Sequence, residues 1–379
     1  MTRTIDLAVI GAGPAGAALA WEAATAGAHV VLVDDGRRPW QPIGQQLAPS
    51  TRTTLHRMGI TLPTTAPTSA TVVSAHPLHE TRSAWDDPAT IDTASTLFNP
   101  YGPPLAVDRA HLDDLLRTAA RTAGARFITT RARPVPASPP ATTGWRIPGI
   151  TGTSIPVLVD ATGTARTVSR THLPRHTADR LRCTVWHTPA ADHPQPFTLV
   201  EATQDGWWYT APHPTTPTHL TLIHVQQAPG HTSHTPPPHT TRRLHHPVLP
   251  KPATERIAVV GCTIPAHTTD LLAVGDAALA VDPLSSSGLR HALEHARPAA
   301  RAALGLIDHR PQPAIHYTHL IHTAFTRHLT ERRHHYRAAT AYAHHPFWRA
   351  RGHHPTNLPT PPPPPTAHSD QPPAARQPR

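Results

Sequence analysis

Three glycines near the start of the chain, Gly11, Gly13 and Gly16, have the spacing G-x-G-x-x-G and follow an apolar run directly. The run, residues 7–10, has the length and β-branching of a buried parallel strand, and a helix is expected after the glycines. The first glycine permits a tight turn, the second lets the backbone approach a pyrophosphate, and the third brings helix and strand together. Free N–H groups at the helix N-terminus then face the phosphates. The spacing therefore predicts a dinucleotide site.

An acidic residue at the end of the next strand supports this prediction. Residues 30–33 read as the strand, and Asp34 follows about 20 residues beyond the glycines, where a carboxylate can hydrogen-bond ribose hydroxyls. Asp35 is the alternative if the register shifts by one residue. The strand, helix and carboxylate together favour a Rossmann-like unit.

A second signature, residues 271–296, favours FAD over NAD. Residues 271–274 read as another buried strand, closed by Gly275 and Asp276, and a serine-glycine turn after Pro283 opens a helix near Gly288. An aspartate at a strand end can hold a ribityl hydroxyl, and a helix N-terminus can stabilise negative charge on reduced flavin. The loop residues expected at the flavin are Pro283, Ser286, Ser287 and Gly288.

With these motifs, roughly residues 4–306 resemble the flavoprotein monooxygenases of the para-hydroxybenzoate hydroxylase type and the related halogenases, geranylgeranyl reductases and lycopene cyclases. The resemblance implies that Asp276 contacts the ribityl chain of FAD and that residues 283–288 lie along the isoalloxazine ring. It also implies that Arg109, at the start of an amphipathic helix, lies beside the flavin. Taken alone, Arg109 reads more simply as a surface charge at a helix N-terminus, and the other motifs favour the position beside the flavin.

The turn at Asp160 resembles a third family segment. Asp160-Ala161-Thr162-Gly163 is similar to the spaced form of halogenases and reductases, whereas the hydroxylases have an Asp-Gly pair linked to FAD and NADPH contact. Asp160 is thus expected at the cofactor. The electron source stays open between NAD(P)H and a partner flavin reductase. Gln45 stands where the halogenase-like segment has glutamate, and we assign it no catalytic role.

Paired tryptophans and a tyrosine, in the segment DGWWYTAPHP of residues 205–214, give the best indication of subfamily. Strand alternation puts Trp207 and Tyr209 on one face and Trp208 on the other. The alternative is ordinary packing of a sheet. The segment resembles GWWYSAPLP of the flavoproteins that hydroxylate tryptophan during maturation of peptidyl quinone cofactors, and DPLSSSG resembles their DPLSSQG. This resemblance implies reduction of FAD, formation of a C4a-hydroperoxide and hydroxylation of an indole or phenol on a small molecule or peptide.

No side chain stands out as a general base. Weak catalytic candidates are Trp207, Tyr209 and His291, and His291 reads more simply as an exposed helix residue. A flavin-dependent halogenase is the sharpest alternative, but such enzymes use a catalytic lysine, and the only lysine, Lys251, lies in a proline-bounded connector. A reductase or cyclase that uses FAD without oxygen, and a non-catalytic peptide-binding flavoprotein, also remain.

Composition excludes several other classes. The formal charge of +10 comes from scattered arginines with no recognition motif, so no nucleic-acid partner is expected. The 32 histidines lack the spacing of a metal site, of which His291 with His295 is the least poor candidate. Cys183 and Cys262 read as structural thiols. Apolar runs are far shorter than the roughly 18 residues of a membrane helix, and no secretion signal is visible. We expect a cytoplasmic enzyme.

The predicted fold class is α/β, with a Rossmann-like FAD-binding domain of the glutathione reductase type, an inserted antiparallel substrate sheet and a C-terminal helical cap. Strands at residues 71–75 and 198–225 should build the sheet over the flavin, and residues 226–250 read as a long loop or a lid. The predicted divisions are residues 1–70, 105–172 and 256–308 for FAD, 71–104 and 173–255 for substrate, 309–350 for helices that cap the pocket, and 351–379 for a disordered proline-rich tail.

Overall fold

A computed structural model of the chain describes residues 4–37, 46–62, 75–137, 144–150, 154–229 and 234–353. Its strands are β1 Leu7–Ile10, β2 Val30–Asp34, β3 Gln46–Leu47, β4 Ala75–Pro77, β5 Glu80–Ala84, β6 Asp92–Ser95, β7 Leu105–Val107, β8 Arg126–Thr129, β9 Val135–Pro136, β10 Trp145–Arg146, β11 Val157–Asp160, β12 Arg175–Pro189, β13 Phe197–Thr203, β14 Gly206–Pro212, β15 His219–Gln227, β16 Thr254–Thr263, β17 Leu271–Ala273 and β18 Leu279–Ala280. Its α-helices are α1 Pro14–Thr25, α2 Thr51–Arg57, α3 Arg109–Thr122, α4 Pro238–Thr241, α5 Gly288–Glu294, α6 Ala296–Ile307, α7 Gln312–Ala338 and α8 Pro346–His353. Short 3-10 turns lie at Gly163–Ala165, Ser169–Thr171, Gly275–Ala277, Pro283–Ser285 and Thr340–Tyr342.

A five-stranded parallel sheet forms the base of the molecule, in the order β17-β11-β1-β2-β8. Every residue of β1 is buried, because α1 covers one side of the strand and other elements cover the opposite side. Burial on both faces explains why β1, β2, β11 and β17 read as continuous apolar runs rather than as alternating ones. The strands predicted at residues 7–10, 30–33 and 271–274 are confirmed, with β2 extending to Asp34 and β17 ending at Ala273.

An eight-stranded sheet lies over this base, in the order β18-β16-β12-β15-β14-β13-β5-β6. All its pairs are antiparallel except β13 with β5. The register pairs Trp207 with Val225 and Tyr209 with Ile223, so the two aromatic side chains share one face, here called the inner face. Trp208 lies on the opposite, outer face. The predicted alternation along β14 is therefore confirmed.

Two predicted strand assignments differ from the observed sheets. Ala75 begins β4, which pairs with β7 in a small separate sheet and not with the substrate sheet; residues 71–74 lie outside the described part. The boundary predicted at residue 256 falls inside β16, which pairs with β12 in the eight-stranded sheet. The apolar end of β16 resembles a returning FAD strand in sequence, but the parallel sheet resumes only at Leu271.

The segment predicted as a loop or lid packs on the outer face instead. Of its described residues, 226 and 227 end β15. Within residues 234–250, Leu244 joins the buried side chains of Trp186 and Trp208. The indole of Trp186 donates to the carbonyl of Pro250 at 3.1 Å. Because the outer face points away from the inner face, this part of the segment does not close over the cavity described below.

The C-terminal helices confirm the predicted helical region, with α8 reaching His353, beyond the predicted end at residue 350. Helix α7 packs along α6 and β16 and buries Tyr317, Phe325 and Tyr336. Residues 354–379 of the predicted tail lie outside the described part. Among the helices that the structure describes, none has the length and apolarity needed to span a bilayer.

Candidate flavin site

A cavity of about 1050 Å³ lies between the carboxyl edge of the parallel sheet and the inner face of the eight-stranded sheet. Pockets for drug-sized ligands have about 300–1,000 Å³, so this one has room for a dinucleotide. The predicted residues that line it are Gly11, Gly13, Asp34, Arg109, Trp207, Tyr209, Gly275, Asp276, Pro283, Ser286, Ser287 and Gly288. Three predicted residues, Gly16, Asp160 and His291, are not in its lining.

The glycine turn has the geometry that its spacing predicts. Gly11 has φ of +101°, and a Cβ there would lie 2.4 Å from the carbonyl oxygen of Ala161. A Cβ at Gly16 would lie 1.9 Å from the Gly11 oxygen, so this glycine lets α1 contact the turn. A Cβ at Gly13 would meet no atom within 4 Å, because Gly13 faces the open cavity. Gly16 therefore serves helix packing, and Gly13 leaves room for a ligand.

The Asp34 carboxylate closes the end of the cavity beside this turn. Its Oδ2 accepts from the amide of Ala12 at 2.7 Å, and its Oδ1 accepts from the amide of Gly36 at 2.9 Å. Each oxygen keeps a further lone pair for a ribose hydroxyl. Asp35 also lines the cavity, but its carboxylate accepts from the amide of Arg37. The hydrogen bond to the glycine turn favours Asp34.

Charged side chains meet in the middle of the cavity around Asp276. Burial raises the pKa of Asp276, and the positive charges of Arg256 and Arg109 offset only part of that rise. Arg109 also pairs with Asp113 at 3.4 Å. Arg175 donates to the carbonyl of Asp276 at 3.1 Å and so holds the Gly275–Ala277 turn. The ribityl chain is expected at this cluster.

Arg256 is a site residue that the sequence did not reveal. The register pairs Arg256 with Cys183, and Cys183 with Val225. Val225 in turn pairs with Trp207, so Arg256 and Trp207 share the inner face about 14 Å apart at the usual strand spacing. Burial lowers the pKa of Arg256 despite the nearby carboxylate of Asp276. Sequence reasoning also missed further arginines of the cavity lining, because arginine is scattered throughout the chain. These are Arg37, Arg117, Arg131, Arg133 and Arg170.

The predicted flavin loop is held by Asp282, the residue just before it. Asp282 Oδ1 accepts from the amide of Leu284 at 3.0 Å, which fixes the 3-10 turn Pro283–Ser285. Ser286 then takes a left-handed conformation with φ of +48°, and the hydroxyls of Ser285 and Ser287 lie 2.8 Å apart. Helix α5 begins at Gly288, where a Cβ would meet no atom within 4 Å. The loop therefore presents backbone and small side chains to the cavity.

The structure places Asp160 behind the cavity wall, which corrects its predicted position at the cofactor. Its fully buried carboxylate accepts from the amide and hydroxyl of Thr162 at 3.0 and 2.6 Å. It also accepts from the amides of Val168 and Ser169 at 3.1 and 2.6 Å. Asp160 thus organises a turn whose residues 161–165 line the cavity. The sequence shows a carboxylate at a strand end but not which amides it accepts.

His291 is neither exposed nor part of the cavity lining, contrary to both of its interpretations from sequence. It lies half-buried on α5, and its ring stacks on that of His295 at 5.1 Å. Burial, together with the charge of His295, lowers the pKa of His291 to about 3. Gln45 lies outside the described residues.

The inner-face aromatics form one wall of the cavity that the flavin loop also lines. Trp207 is almost fully buried, and its indole N–H donates to the hydroxyl of Tyr336 at 3.1 Å. Burial raises the pKa of Tyr209, so its hydroxyl stays protonated. Val200 and Ile223 line the cavity beside them. Helix α7 supplies Tyr336 from behind the wall, and no described residue of α7 or α8 is in the cavity lining, so these helices support the pocket and do not cap it.

This donor set fits FAD: the open glycine turn and arginines suit a pyrophosphate, Asp34 suits a ribose, and Asp276 suits a ribityl chain. Fold and site together define an FAD-dependent oxidoreductase. The tryptophan halogenase family model matches residues 65–361, and the chain belongs to this family. A menaquinone reductase of Mycobacterium tuberculosis is 33% identical over 126 residues, which are 32% of this chain and 28% of that protein.

Two solved structures share the fold. The peptidyl tryptophan dihydroxylase QhpG, essential for tryptophylquinone cofactor biogenesis, has a TM-score of 0.71 at 21% identity and covers 94% of this chain and 80% of its own. The myxobacterial chondrochloren halogenase CndH, a variant of FAD-dependent halogenases, has a TM-score of 0.70 at 22% identity and covers 93% and 87%. At these identities the likeness shows the fold alone.

Proposed function

We propose that this protein is an FAD-dependent monooxygenase that hydroxylates an aromatic ring, an indole or a phenol, carried by a small molecule or a peptide. The observation that carries the proposal is that Trp207 and Tyr209 face the same cavity as residues 283–288, the predicted flavin loop. Flat aromatic side chains orient an aromatic ligand through offset-stacked or edge-to-face contacts. A ring held between this wall and the loop is well placed for oxygen transfer.

The chain's own residues bind, orient and exclude water. When bound and reduced, FAD supplies the activation of oxygen, which protein side chains cannot provide. Asp34, Asp276 and the glycine turn hold the cofactor, while Val200, Ile223 and Trp207 make the substrate end apolar. An apolar, enclosed site protects a reactive oxygen species from water. The protonated hydroxyl of Tyr209 can donate a hydrogen bond to a phenol oxygen or to the oxygen being transferred.

Halogenation is the first alternative because of the family match. The resemblance to halogenases leads one to expect a catalytic lysine. The chain's single lysine, Lys251, is exposed and lies outside the described cavity lining. This position supports hydroxylation over halogenation.

Reduction without oxygen is the second alternative, and the similarity to a menaquinone reductase is the observation in its favour. That similarity covers 28% of the relative's length, which leaves its substrate end uncompared. A flavoprotein that only holds a peptide is a third alternative. Such a protein would bind FAD through the same residues around Asp276, so flavin turnover is what separates it from the two enzymes.

The test is stopped-flow absorbance of the holoprotein, reduced chemically without oxygen and mixed with oxygenated buffer. We expect a transient spectrum that differs from both reduced and oxidised flavin. With indole, phenol or a tryptophan-containing peptide present, the product should gain one oxygen atom derived from isotopically labelled dioxygen. A halogenated product in the presence of bromide would establish halogenation. Direct return to oxidised flavin with every candidate would favour the reductase class.

The electron donor is NAD(P)H or a partner flavin reductase, and anaerobic reduction separates the two. Rapid bleaching of the flavin by NADPH or NADH alone would indicate direct reduction. Bleaching only after addition of a flavin reductase with NADH would indicate a partner, which the halogenase-like spacing after Asp160 favours.

A further inference from the structure

A continuous chain of buried hydrogen bonds connects the aromatic wall to the flavin loop. The indole Nε1 of Trp207 donates to Tyr336 Oη at 3.1 Å, and Tyr336 Oη donates to Asp282 Oδ2 at 3.1 Å. The exposed fractions of these three residues are 2%, 1% and 1%, so bulk water cannot replace the missing partner if one is removed. Asp282 also bonds the amide of Leu284 and so begins the loop itself.

Helix α7 fixes the charge at the Asp282 end of this hydrogen-bond chain. Arg332 Nε donates to Asp282 Oδ2 at 2.7 Å, and Arg332 also pairs with Asp179 on β12. Burial alone would raise the pKa of Asp282, but the charge and hydrogen bond of Arg332 outweigh it and hold the pKa below its ordinary value. The amide of Asp282 donates to His328 Nε2 at 3.0 Å. The carboxylate is therefore charged, and it accepts hydrogen bonds from Leu284, Arg332 and Tyr336.

The direction of the chain follows from the state of Tyr336. Burial and the negative charge of Asp282 raise the pKa of Tyr336 well above its ordinary value, so the hydroxyl keeps its proton. The hydroxyl donates its hydrogen bond to Asp282 and accepts one from the indole N–H of Trp207. One hydroxyl thus satisfies two buried groups that belong to different parts of the fold.

We propose that Tyr336 is a positioning residue that fixes the Trp207 indole and the Asp282 loop relative to each other, and so sets how an aromatic substrate lies against the flavin. The proposal rests on the proposed function in one respect, the binding of FAD and an aromatic ligand in this cavity. Tyr336 touches neither group and acts through Trp207 and Asp282. Its place on α7, 129 residues from Trp207, gives the C-terminal helices a role at a site whose lining they do not join.

Tyr336→Phe isolates the hydroxyl, because the ring keeps its packing against Phe347 and Trp348. Tyr317→Phe is the matched control. Tyr317 lies on the same helix and is equally buried, but its hydroxyl has no hydrogen-bond partner among the described residues. Trp207→Phe cuts the same chain from its other end and keeps an aromatic wall.

The experiment measures three quantities on the holoproteins: FAD affinity, the visible circular dichroism of the bound flavin, and indole affinity from flavin fluorescence. For Tyr336→Phe we expect a changed dichroism spectrum and about tenfold weaker indole binding, the equivalent of one lost hydrogen bond. Tyr317→Phe should match the wild type in all three. Tyr336→Phe removes both hydrogen bonds of the hydroxyl, including the one that Trp207→Phe removes. The double variant Trp207→Phe/Tyr336→Phe should therefore bind indole no more weakly than the weaker single variant.

Three outcomes would overturn the proposal. Tyr336→Phe could match Tyr317→Phe in dichroism and indole affinity, or the effects of the two single variants on indole affinity could multiply in the double variant. The third outcome applies if Tyr336→Phe does not fold. It is that Trp207→Phe has the dichroism spectrum and the indole affinity of the wild type. None of these readouts needs turnover, so the positioning role can fail while oxygenation succeeds. Conversely, absence of an oxygenated product would remove the proposed reaction and leave these results standing.

Discussion

The Asp34 carboxylate accepts the amide of Ala12 at 2.7 Å, so the acidic residue at the end of β2 and the glycine turn after β1 form one hydrogen-bonded unit. The two strands are neighbours in the parallel sheet, with Ile10 paired to Val33. In the proposed site, this contact would position both a phosphate at the turn and a ribose at Asp34.

Asp34→Asn should weaken FAD binding about 10- to 100-fold, since a hydrogen bond to a charged group contributes about 1.5–3 kcal/mol. Asparagine removes the charge and one acceptor that now serves Ala12 or Gly36. Asp35→Asn is the matched control, because Asp35 bonds only its own turn at Arg37 among the described contacts. Titration of apoprotein with FAD measures both. A larger loss in Asp35→Asn would move the ribose contact to Asp35.

Substitutions on the outer face should lower stability and leave ligand binding unchanged. Trp208 stacks on Trp186 at 5.5 Å and on His224 at 4.1 Å. Trp208→Ala should lower the free energy of unfolding by about 3–5 kcal/mol, as other buried aromatic truncations do. FAD and indole affinities of the folded protein should stay unchanged, because the indole faces away from the cavity. Denaturant unfolding and ligand titration check this, and a selective loss of indole affinity would contradict the assignment of faces.

Sequence reasoning succeeded where function depends on local spacing. The roles of Gly11, Gly16 and the alternation at Trp207 follow from turn geometry and the two-residue strand period, which act over a few positions. It failed where residues meet only through the fold. Tyr336 lies 54 residues from Asp282, and nothing in the amphipathic pattern of α7 distinguishes it from other buried aromatics.

The same reasoning explains the misplaced boundary at residue 256. The run in β16 has the pattern of a buried strand, but a local pattern does not encode which strand it pairs with. In the structure it pairs with β12 over ten positions. Arg256 became a cavity residue as a consequence. Its neighbours in sequence gave no sign of it, because the chain carries arginine throughout.

Asp160→Ala should destabilise the apoprotein and the holoprotein equally. The variant leaves the buried amides of Val168 and Ser169 without an acceptor, at about 1–3 kcal/mol each. Urea unfolding with and without FAD measures the two losses. A direct cofactor contact would instead appear as an extra loss in the holoprotein alone, and that result would return Asp160 to the site.

His328 should make the protein less stable in mild acid. Burial lowers its pKa from the ordinary 6.5 to about 4, and its Nε2 must stay unprotonated to accept the amide of Asp282. Between these pH values the unfolded chain binds a proton that the folded protein does not. The free energy of unfolding therefore falls as the pH drops from 6.5 towards 4, by up to about 1.4 kcal/mol per pH unit. Above 6.5 this group has no effect.

His328→Gln keeps an acceptor for the Asp282 amide and removes the titration. Its free energy of unfolding should decline less steeply over the same pH range. The difference in slope should correspond to about one proton bound on unfolding. Other buried histidines with lowered pKa values are present in both proteins, so the difference between the two curves isolates His328. Parallel curves would show that His328 does not titrate in this way.

Two alanine substitutions in the glycine turn should have different effects, one on the stability of the apoprotein and the other on FAD affinity. At Gly16 a methyl group would lie 1.9 Å from the Gly11 carbonyl oxygen and 2.9 Å from Ala161 Cβ, and neither atom belongs to a flexible side chain. Gly16→Ala should therefore separate α1 from the parallel sheet and lower the thermal stability of the apoprotein. At Gly13 the methyl group would meet no protein atom and would enter the cavity. Gly13→Ala should keep the apoprotein stable and lose FAD affinity, as thermal unfolding and FAD titration would show. Equal FAD affinity in Gly13→Ala and wild type would mean that the pyrophosphate does not approach this turn.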